Sequence, residues 1–591
     1  MTKKIIAAAL TALMLLAAGC SATPTPEDAT PTPAPTPTPT PEEKAFYASE
    51  LIKNAELWNG RSLLDDRFQF IVEYHSNKII EDALGVNYDN FGGDFLHQKS
   101  SAGEWAYAMI HLDGEIQIGG SDLVVDSKFT GENAPKTREE AIEKIIAFLN
   151  NHYKSKDNGS LPYTSMNGHY PWHHYAGMVG YENIGTEIGE GMSSYQLRLA
   201  MNRGAAKQYD ATWFVDFSQW YGGYILDYRD SNLVWGENSS VNGGHSLNLM
   251  ERSFLLSFMA GADATIAEGG QYIAYDSQDN ITPYGELCQK LYAFTSKYYN
   301  IGTTYTPYAV ILDKYHGMGM SGADKVFETF LCDEPDIFTY NIFNDYIWPG
   351  TLVGTGKDES SVMANTKYGD SFDLLLQDAS YELLETYPVL IFTGNIILSD
   401  DELKMYTDYV KNGGTLVLNT AYLNQFEKNG IEFPDLEQQP YKEVAYGNGA
   451  FMIYGNGGRF DMYKAPDGNM KMQMSGDWQL GGLKTILDEL HARYMPFTFS
   501  DDIGYTVTVK DGALYLCVFN NDGVYKGVNQ PTVVDETKSV ELEITYTGNY
   551  SVVSAEDIYN GHDVTLSDKT MSINLEAGGM AVIELKIGKQ N

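Results

Sequence analysis

Two glutamates in this sequence stand at the end of a predicted strand, with a glycine within the next two residues. Glu187 closes segment 184–187, and Glu268 closes segment 265–268. A glycine at such a position lets a ligand approach the backbone closely. Cleavage of a glycosidic bond uses two carboxyl groups, one as the acid and the other as nucleophile or base. Glu187 and Glu268 are therefore a candidate catalytic pair.

Other acidic residues compete for these roles. Asp216 lies within the apolar segment 213–218. Burial of a carboxylate is costly unless the group is paired, so Asp216 is expected to have a partner or a catalytic task, and it is an alternative to either glutamate. Glu182 and Glu190 bracket Glu187, and Glu190 is a candidate contact to the substrate. The residue types do not say which carboxyl group is the acid.

The densest cluster of histidine and aromatic residues contains His169, Trp172, His173 and His174. These residues are candidates to line a sugar subsite, with the indole stacking on a ring and the histidines donating hydrogen bonds. Ordinary packing of the domain interior is the alternative. Pro171 interrupts any helix that would align His169 with His173, and no nearby cysteine or suitably spaced aspartate completes a ligand set. We therefore predict neither a metal nor another cofactor.

Three more residues near the Asp216 strand are candidates for substrate binding. Trp213 and Trp220 could form a platform for a sugar ring. His245 follows two glycines and could either cap the next helix or face the site.

These candidates need a framework, and residues 45–303 alternate short apolar strands with amphipathic helices. Segment 138–153, for example, carries its apolar residues at the spacing of one helical face. Such alternation predicts parallel βα units, and the length matches the roughly 250 residues of a (β/α)8 TIM barrel. In that fold, reactive groups lie at the carboxyl ends of the strands.

The remaining chain predicts two further domains. Residues 304–498 again alternate strands with helices, and one helix over 399–411 has a serine at its start and two glycines at its end, which are helix-capping signals. Residues 499–591 contain short alternating strands and predict a β-sandwich. The predicted fold class is therefore α/β, with a TIM barrel, a second α/β domain and a C-terminal β-sandwich.

The N-terminal residues indicate export. Two lysines precede an apolar stretch over 5–18, which is shorter than the ~20 residues of a transmembrane helix and is typical of a signal peptide. The following residues resemble a bacterial lipobox, in which Cys20 would be acylated. We predict a signal peptide over 1–19, a lipid anchor at Cys20 and a stiff Thr/Pro-rich linker over 20–44, which would place the protein on the extracellular face of the cell membrane.

Composition excludes several classes of protein. The formal charge is −39, which argues against nucleic acid as a partner. The four cysteines form no CxxC pair, so neither a zinc ribbon nor a disulfide framework is predicted.

The order of the three domains, together with segments 305–313 and 398–419, resembles the bacterial β-galactosidases of glycoside hydrolase family 42 and their relatives. The resemblance implies that the second domain is glutamine-amidotransferase-like and mediates homo-oligomer formation. It also implies a carbohydrate substrate. We therefore predict a surface-anchored glycoside hydrolase that acts on extracellular oligo- or polysaccharide, with a non-catalytic cell-surface glycan-binding protein as the alternative.

Overall fold

The computed structural model describes most of the chain beyond residue 134 and two short strands before it. The described ranges are 69–72, 110–112, 135–155, 164–167, 172–188, 194–229, 239–267, 274–298, 301–315, 325–326, 330–331, 334–351, 359, 362–436, 439–455, 462–464, 470–472, 481–510 and 512–588. Four predicted site residues, Cys20, His169, Glu190 and Glu268, lie outside the described residues. Within these ranges no helix has both the length and the apolar character needed to cross a bilayer.

The first part of the chain alternates strands and helices, as predicted. In chain order its elements are β1 (Gln69–Val72), β2 (Ile110–Leu112), α1 (Arg138–Ser155), β3 (Thr164–Asn167), α2 (Trp172–Val179), β4 (Asn183–Ile188), α3 (Tyr195–Tyr209), β5 (Thr212–Phe217), β6 (Ile225–Leu226), β7 (Ser239–Ser240), α4 (Leu247–Met259), β8 (Ala264–Ala267) and α5 (Pro283–Lys297). The helix expected over 138–153 is α1, and its apolar face is buried.

Six of these strands form one sheet in the order β1-β8-β5-β4-β3-β2. All five pairings are parallel. The last strand, β8, pairs with the first strand, β1, as well as with β5. Pairing of last with first strand is what closure of a barrel requires, but no pairing between β1 and β2 occurs in the described part of the sheet. The parallel βα units are thus observed, while the closed eight-stranded barrel stays a prediction.

A second α/β region follows a short strand, β9 (Thr303–Thr304). In chain order its elements are β10 (Tyr308–Leu312), β11 (Lys325–Val326), β12 (Phe330–Leu331), α6 (Glu334–Asn341), β13 (Phe372–Leu376), α7 (Tyr381–Leu384), β14 (Val389–Phe392), α8 (Asp400–Lys411), β15 (Thr415–Asn419), α9 (Leu423–Glu427), β16 (Tyr441–Tyr446), β17 (Gly449–Tyr454), β18 (Met462–Lys464), β19 (Met470–Met472) and α10 (Gly481–Tyr494). A π-helical segment, Ile342–Ile347, continues α6.

The second sheet has the order β13-β10-β14-β15-β17-β16, with only the edge strand β16 antiparallel. Within this sheet the first strand in chain order, β10, therefore lies between the second, β13, and the third, β14. This is the doubly wound arrangement. Helix α8 begins with the predicted capping box, in which the Ser399 and Glu402 side chains each accept from the other residue's backbone N–H.

The C-terminal region consists of antiparallel strands. They are β20 (Phe497–Phe499), β21 (Gly504–Lys510), β22 (Ala513–Phe519), β23 (Val524–Tyr525), β24 (Val533–Val534), β25 (Val540–Tyr546), β26 (Ser551–Asp557), β27 (Thr565–Ser567), β28 (Thr570–Leu575) and β29 (Met580–Gly588). Two sheets share one hydrophobic core, in the orders β20-β25-β28-β27 and β26-β29-β22-β21-β9. The early strand β9 is the edge of the second of these sheets.

Helix α3 joins the first region to the second, and all described residues belong to the compact unit 47–591. A Cβ atom placed on Gly204 would lie 1.8 Å from the backbone oxygen of Leu374 in β13, so the helix can approach the strand this closely only because it has glycine there. Because Arg203 precedes Gly204, this close approach also places a charged side chain at the interface between α3 and β13.

A buried charge cluster lies at this interface and consists of Arg203, Lys207, Asp370 and Asp373. Arg203 forms ion pairs with Asp373 at 2.5 Å and Asp370 at 3.1 Å, and Lys207 contacts Asp373 at 2.5 Å. Burial acts to raise the pKa of Asp373, but the two cations outweigh it and lower that pKa to about 2. Both carboxylates that pair with Arg203 come from the second region, so the cluster connects α3 with β13 and the residues just before it.

Candidate active site

Glu187 and Asp216 lie opposite each other on neighbouring parallel strands. In the pairing of β4 with β5, Glu187 is the register partner of Asp216. Each is the penultimate residue of its strand, so both stand at the carboxyl end of the sheet. Both are buried, with 6% of the residue surface exposed. The structure thus brings together two of the three predicted catalytic carboxylates; the third, Glu268, follows β8 directly but lies outside the described residues.

The two carboxylates share the face of the sheet that is turned away from the helices. Side chains alternate along a strand, and the odd-numbered neighbours Val215 and Phe217 pack into a core with helix α4. Glu187 and Asp216 therefore point to the other face. A Cβ atom on Gly185 would lie 2.1 Å from the Phe214 ring, so glycine at this position makes room for the aromatic ring beneath the carboxyl groups.

The chain after β5 is held in place by hydrogen bonds. The backbone N–H of His245 donates to the Gln219 carbonyl at 3.0 Å, and the Leu226 N–H donates to the Gln219 side chain at 3.2 Å. Ser218 is fully buried, whereas Trp220 is partly exposed. Among the described tryptophan candidates, Trp220 is the partly exposed one, whereas Trp172 and Trp213 are buried. It follows Asp216 by four residues and therefore suits a sugar platform best.

His245 is buried and contacts a carboxylate that the sequence reasoning missed. Its Nδ1 lies 3.2 Å from Oε1 of Glu359, and the backbone N–H of Ser246 donates to the same oxygen at 2.6 Å. Burial acts to raise the pKa of Glu359, but the hydrogen bonds from His245 and Ser246 outweigh it and lower the pKa. The Ser246 side chain, rather than His245, caps helix α4 by accepting from the Leu249 N–H. No motif around Glu359 links it to His245, which is 114 residues away.

Four other predicted substrate contacts lie in the packed interior. Trp172 is 1% exposed and belongs to the main hydrophobic core, and both His173 and His174 are fully buried in α2. The Nε2 of His174 lies 3.0 Å from the backbone oxygen of Leu374 in β13. Trp213 is buried on the helix-facing side of β5. For the α2 residues this burial agrees with interior packing, the alternative that the sequence left open, and their contact with a substrate stays a prediction.

Burial of His174 gives a prediction for the pH dependence of stability. Burial lowers the pKa of His174 to about 3, against an ordinary value near 6.5. Between these values the unfolded chain binds a proton that the folded chain does not, so this contribution to stability is lost as the pH falls below about 6.5. The variant His174→Gln keeps a hydrogen-bond donor but does not titrate. Between pH 7 and pH 5, the parent should lose about 2 kcal/mol more unfolding free energy than the variant.

Urea unfolding at the two pH values measures this difference. Other titrating groups, including His491, whose burial lowers its pKa to about 4, are the same in both proteins and cancel in the comparison. Equal losses in parent and variant would contradict the assignment.

The described residues contain no cluster of three or more His, Cys, Asp or Glu side chains arranged to hold a metal ion.

Two described cysteines, Cys288 and Cys517, are buried thiols, and burial raises the pKa of both well above the ordinary value. A raised pKa opposes formation of the nucleophilic thiolate.

No family model and no curated protein sequence matches this chain. Solved structures do match. A catalytic mutant of a GH42 beta-galactosidase from G. stearothermophilus is 12% identical, with 76% of this chain and 68% of that chain covered and a TM-score of 0.43. The beta-galactosidase of Bacillus circulans sp. alkalophilus is also 12% identical, with 76% and 67% covered and a TM-score of 0.46. The alpha-L-fucosidase isoenzyme 2 of Paenibacillus thiaminolyticus is 10% identical, with 82% and 86% covered and a TM-score of 0.35. Since each of these TM-scores is below 0.5, the assignment of function rests on the geometry of the site.

Proposed function

We propose that this protein is a glycoside hydrolase in which Glu187 and Asp216 supply the two carboxyl groups of the reaction. The observation that carries the proposal is their position as register partners at the carboxyl ends of parallel strands. Adjacent strands are about 4.8 Å apart, so the two groups can flank one glycosidic bond.

In the proposed reaction, one carboxyl group protonates the oxygen of the leaving sugar while the other attacks the anomeric carbon or activates a water molecule. This division of labour requires one group to hold a proton while the other is ionised. Trp220 would support the sugar ring from the chain segment that follows Asp216. Glu268 remains the alternative second carboxylate, because it follows Ala267, the register partner of Phe217.

The first test is release of reducing sugar by the full chain from a panel of plant, mucin and microbial glycans. We expect turnover of at least one glycan, with release lost in Asp216→Asn if Asp216 is the second group and in Glu268→Gln if Glu268 is. Binding of a glycan without release of sugar from any member of the panel would instead favour the non-catalytic glycan-binding protein. If the protein neither bound nor cleaved any glycan of the panel, both functions would be contradicted.

The location of the protein is part of the same proposal. The lipobox-like residues before Cys20 support acylation there, and the Thr/Pro-rich linker would hold the enzyme away from the membrane surface. Incorporation of labelled palmitate into the parent but not into Cys20→Ser would support this anchor, and equal incorporation would contradict it.

A further inference from the structure

Three residues at the carboxyl edge of the second sheet carry buried polar groups. Asn419 ends β15, Thr420 follows it, and Tyr454 ends β17. Their residues are 3%, 1% and 0% exposed, respectively. The Asn419 Nδ2, the Thr420 Oγ1 and the Tyr454 hydroxyl have no hydrogen-bond partner within the described part of the chain.

Two of these groups, on Asn419 and Thr420, lie beside Gly455, and the third belongs to the residue that precedes this glycine. Asn419 is the register partner of Tyr454, so both side chains emerge on the same face of the sheet. The next residue, Gly455, has a φ of 125°, which favours glycine. A Cβ atom there would lie 2.7 Å from the Thr420 Oγ1 and 3.1 Å from the Asn419 Nδ2. Glycine thus leaves the space in front of these two groups open.

Two comparable hydroxyl groups of the same region have partners within the fold. The Tyr406 hydroxyl donates to the Gln377 carbonyl at 2.8 Å, and the Thr393 hydroxyl donates to Thr339 at 2.9 Å. A buried donor without a partner is costly, so three such groups on residues at the ends of two neighbouring strands call for an explanation.

The position is also one where ligands bind in this architecture. In open, doubly wound α/β sheets, ligands lie outside the carboxyl ends of the strands. Asp313 follows β10 at the same edge, and Gly394, with a φ of 78°, follows β14 close to it. Polar or glycine residues therefore follow the four adjacent strands β10, β14, β15 and β17.

The charges at this edge restrict the class of ligand. Arg138, a described cation next to α6, is bound by both carboxylate oxygens of Asp336, at 2.7 and 2.5 Å. Lys314, which follows Asp313, has its Nζ over the Tyr315 ring, 5.3 Å from the centroid. The Asp313 carboxylate opposes an anionic ligand at the same edge. Burial raises the pKa of Tyr454 well above the ordinary value, so its hydroxyl stays neutral and can both donate and accept. The Phe338 ring stacks on Tyr454, with centroids 6.5 Å apart.

We propose that Asn419, Thr420 and Tyr454 form a binding site for a small, uncharged, hydroxyl-rich molecule of monosaccharide size. The amide of Asn419 donates to a ligand oxygen, while the two hydroxyls exchange hydrogen bonds with ligand hydroxyls. This site is separate from the carboxylates of the first region, and its existence does not depend on the hydrolase activity.

Isosteric variants test the site without creating cavities. Thr420→Val and Tyr454→Phe each remove one unpartnered hydroxyl, whereas the control Tyr406→Phe removes a hydroxyl that has a partner. Calorimetric titration of the full chain uses galactose and glucose as neutral probes and acetate and inorganic phosphate as charged probes. Thermal unfolding without ligand is measured for each protein.

We expect the parent to bind one of the neutral sugars, with affinity at least 10-fold weaker in Thr420→Val and Tyr454→Phe and unchanged in Tyr406→Phe. Without ligand, the first two variants should unfold at the parent's temperature or higher, and the control at a lower temperature, because only the control loses a hydrogen bond made within the fold. If the parent binds neither sugar, or if Thr420→Val and Tyr454→Phe bind it as tightly as the parent does, the proposed site is wrong. If the parent binds acetate or phosphate and these two variants bind it more weakly, the proposed class of ligand is wrong.

Discussion

Glu187→Gln is expected to lower kcat/KM for the glycan substrate by at least about 100-fold, because it removes a group that gives or takes a proton in the transition state. The substitution is isosteric, so glycan binding and the unfolding temperature should change little. If Asp216 acts together with Glu187, the double variant with Asp216→Asn should be only slightly worse than the poorer single variant, since residues that work as a unit are not additive. Steady-state kinetics of the three variants measures both effects.

Glu182 provides the matched control. It precedes β4 at the opposite end from Glu187 and is exposed. Glu182→Gln should therefore keep turnover within about twofold of the parent, as expected for a surface residue outside the site. Turnover by Glu187→Gln at the level of this control would show that the catalytic carboxylates lie elsewhere.

The second large effect concerns the buried charge cluster. Arg203→Met should destabilise the folded protein by about 3–5 kcal/mol, because it leaves Asp370 and Asp373 buried without their guanidinium partner. The same guanidinium also donates to the Phe372 carbonyl at 2.8 Å, so the variant loses a hydrogen bond to β13 as well. Chemical denaturation monitored by tryptophan fluorescence measures the loss.

Arg493→Met is the control for this prediction. Arg493 pairs with Glu443 and Glu489, but its side chain is 36% exposed. Exposed ion pairs contribute about 0–1 kcal/mol, so this variant should resemble the parent. If both arginine variants were equally mild, the cluster would not hold the two regions together.

Local sequence signals predicted the elements that carry the candidate site. The apolar segment around Asp216 and the strand ending near Glu187 could be recognised because strands require runs of apolar residues. Their shared position followed from a general rule, that carboxyl ends of parallel strands lie at one edge of the sheet. The capping box of Ser399 and Glu402 was likewise readable, since both partners lie within one helical turn.

Contacts between distant segments could not be predicted in this way. His174 was interpreted as a sugar contact, yet its partner is a backbone oxygen 200 residues away. Every residue has a backbone carbonyl, so the residue types around His174 could not reveal which one it contacts. Glu359 is similar, because its link to His245 depends on how the second region sits against the first. The three groups at Asn419, Thr420 and Tyr454 became visible only when their lack of partners could be checked atom by atom.

The edge strand β9 has a consequence for the order of synthesis. Thr304 pairs with Thr508 in β21, and the Tyr305 N–H donates to the Val507 carbonyl at 2.8 Å. A ribosome adds roughly 5–20 residues per second, so the partner strand leaves it some tens of seconds after β9 does. During that interval the backbone groups of β9 and Tyr305 lack the partners that β21 gives them in the folded chain. Nascent or truncated chains that stop before β21 should therefore be the species most in need of a chaperone.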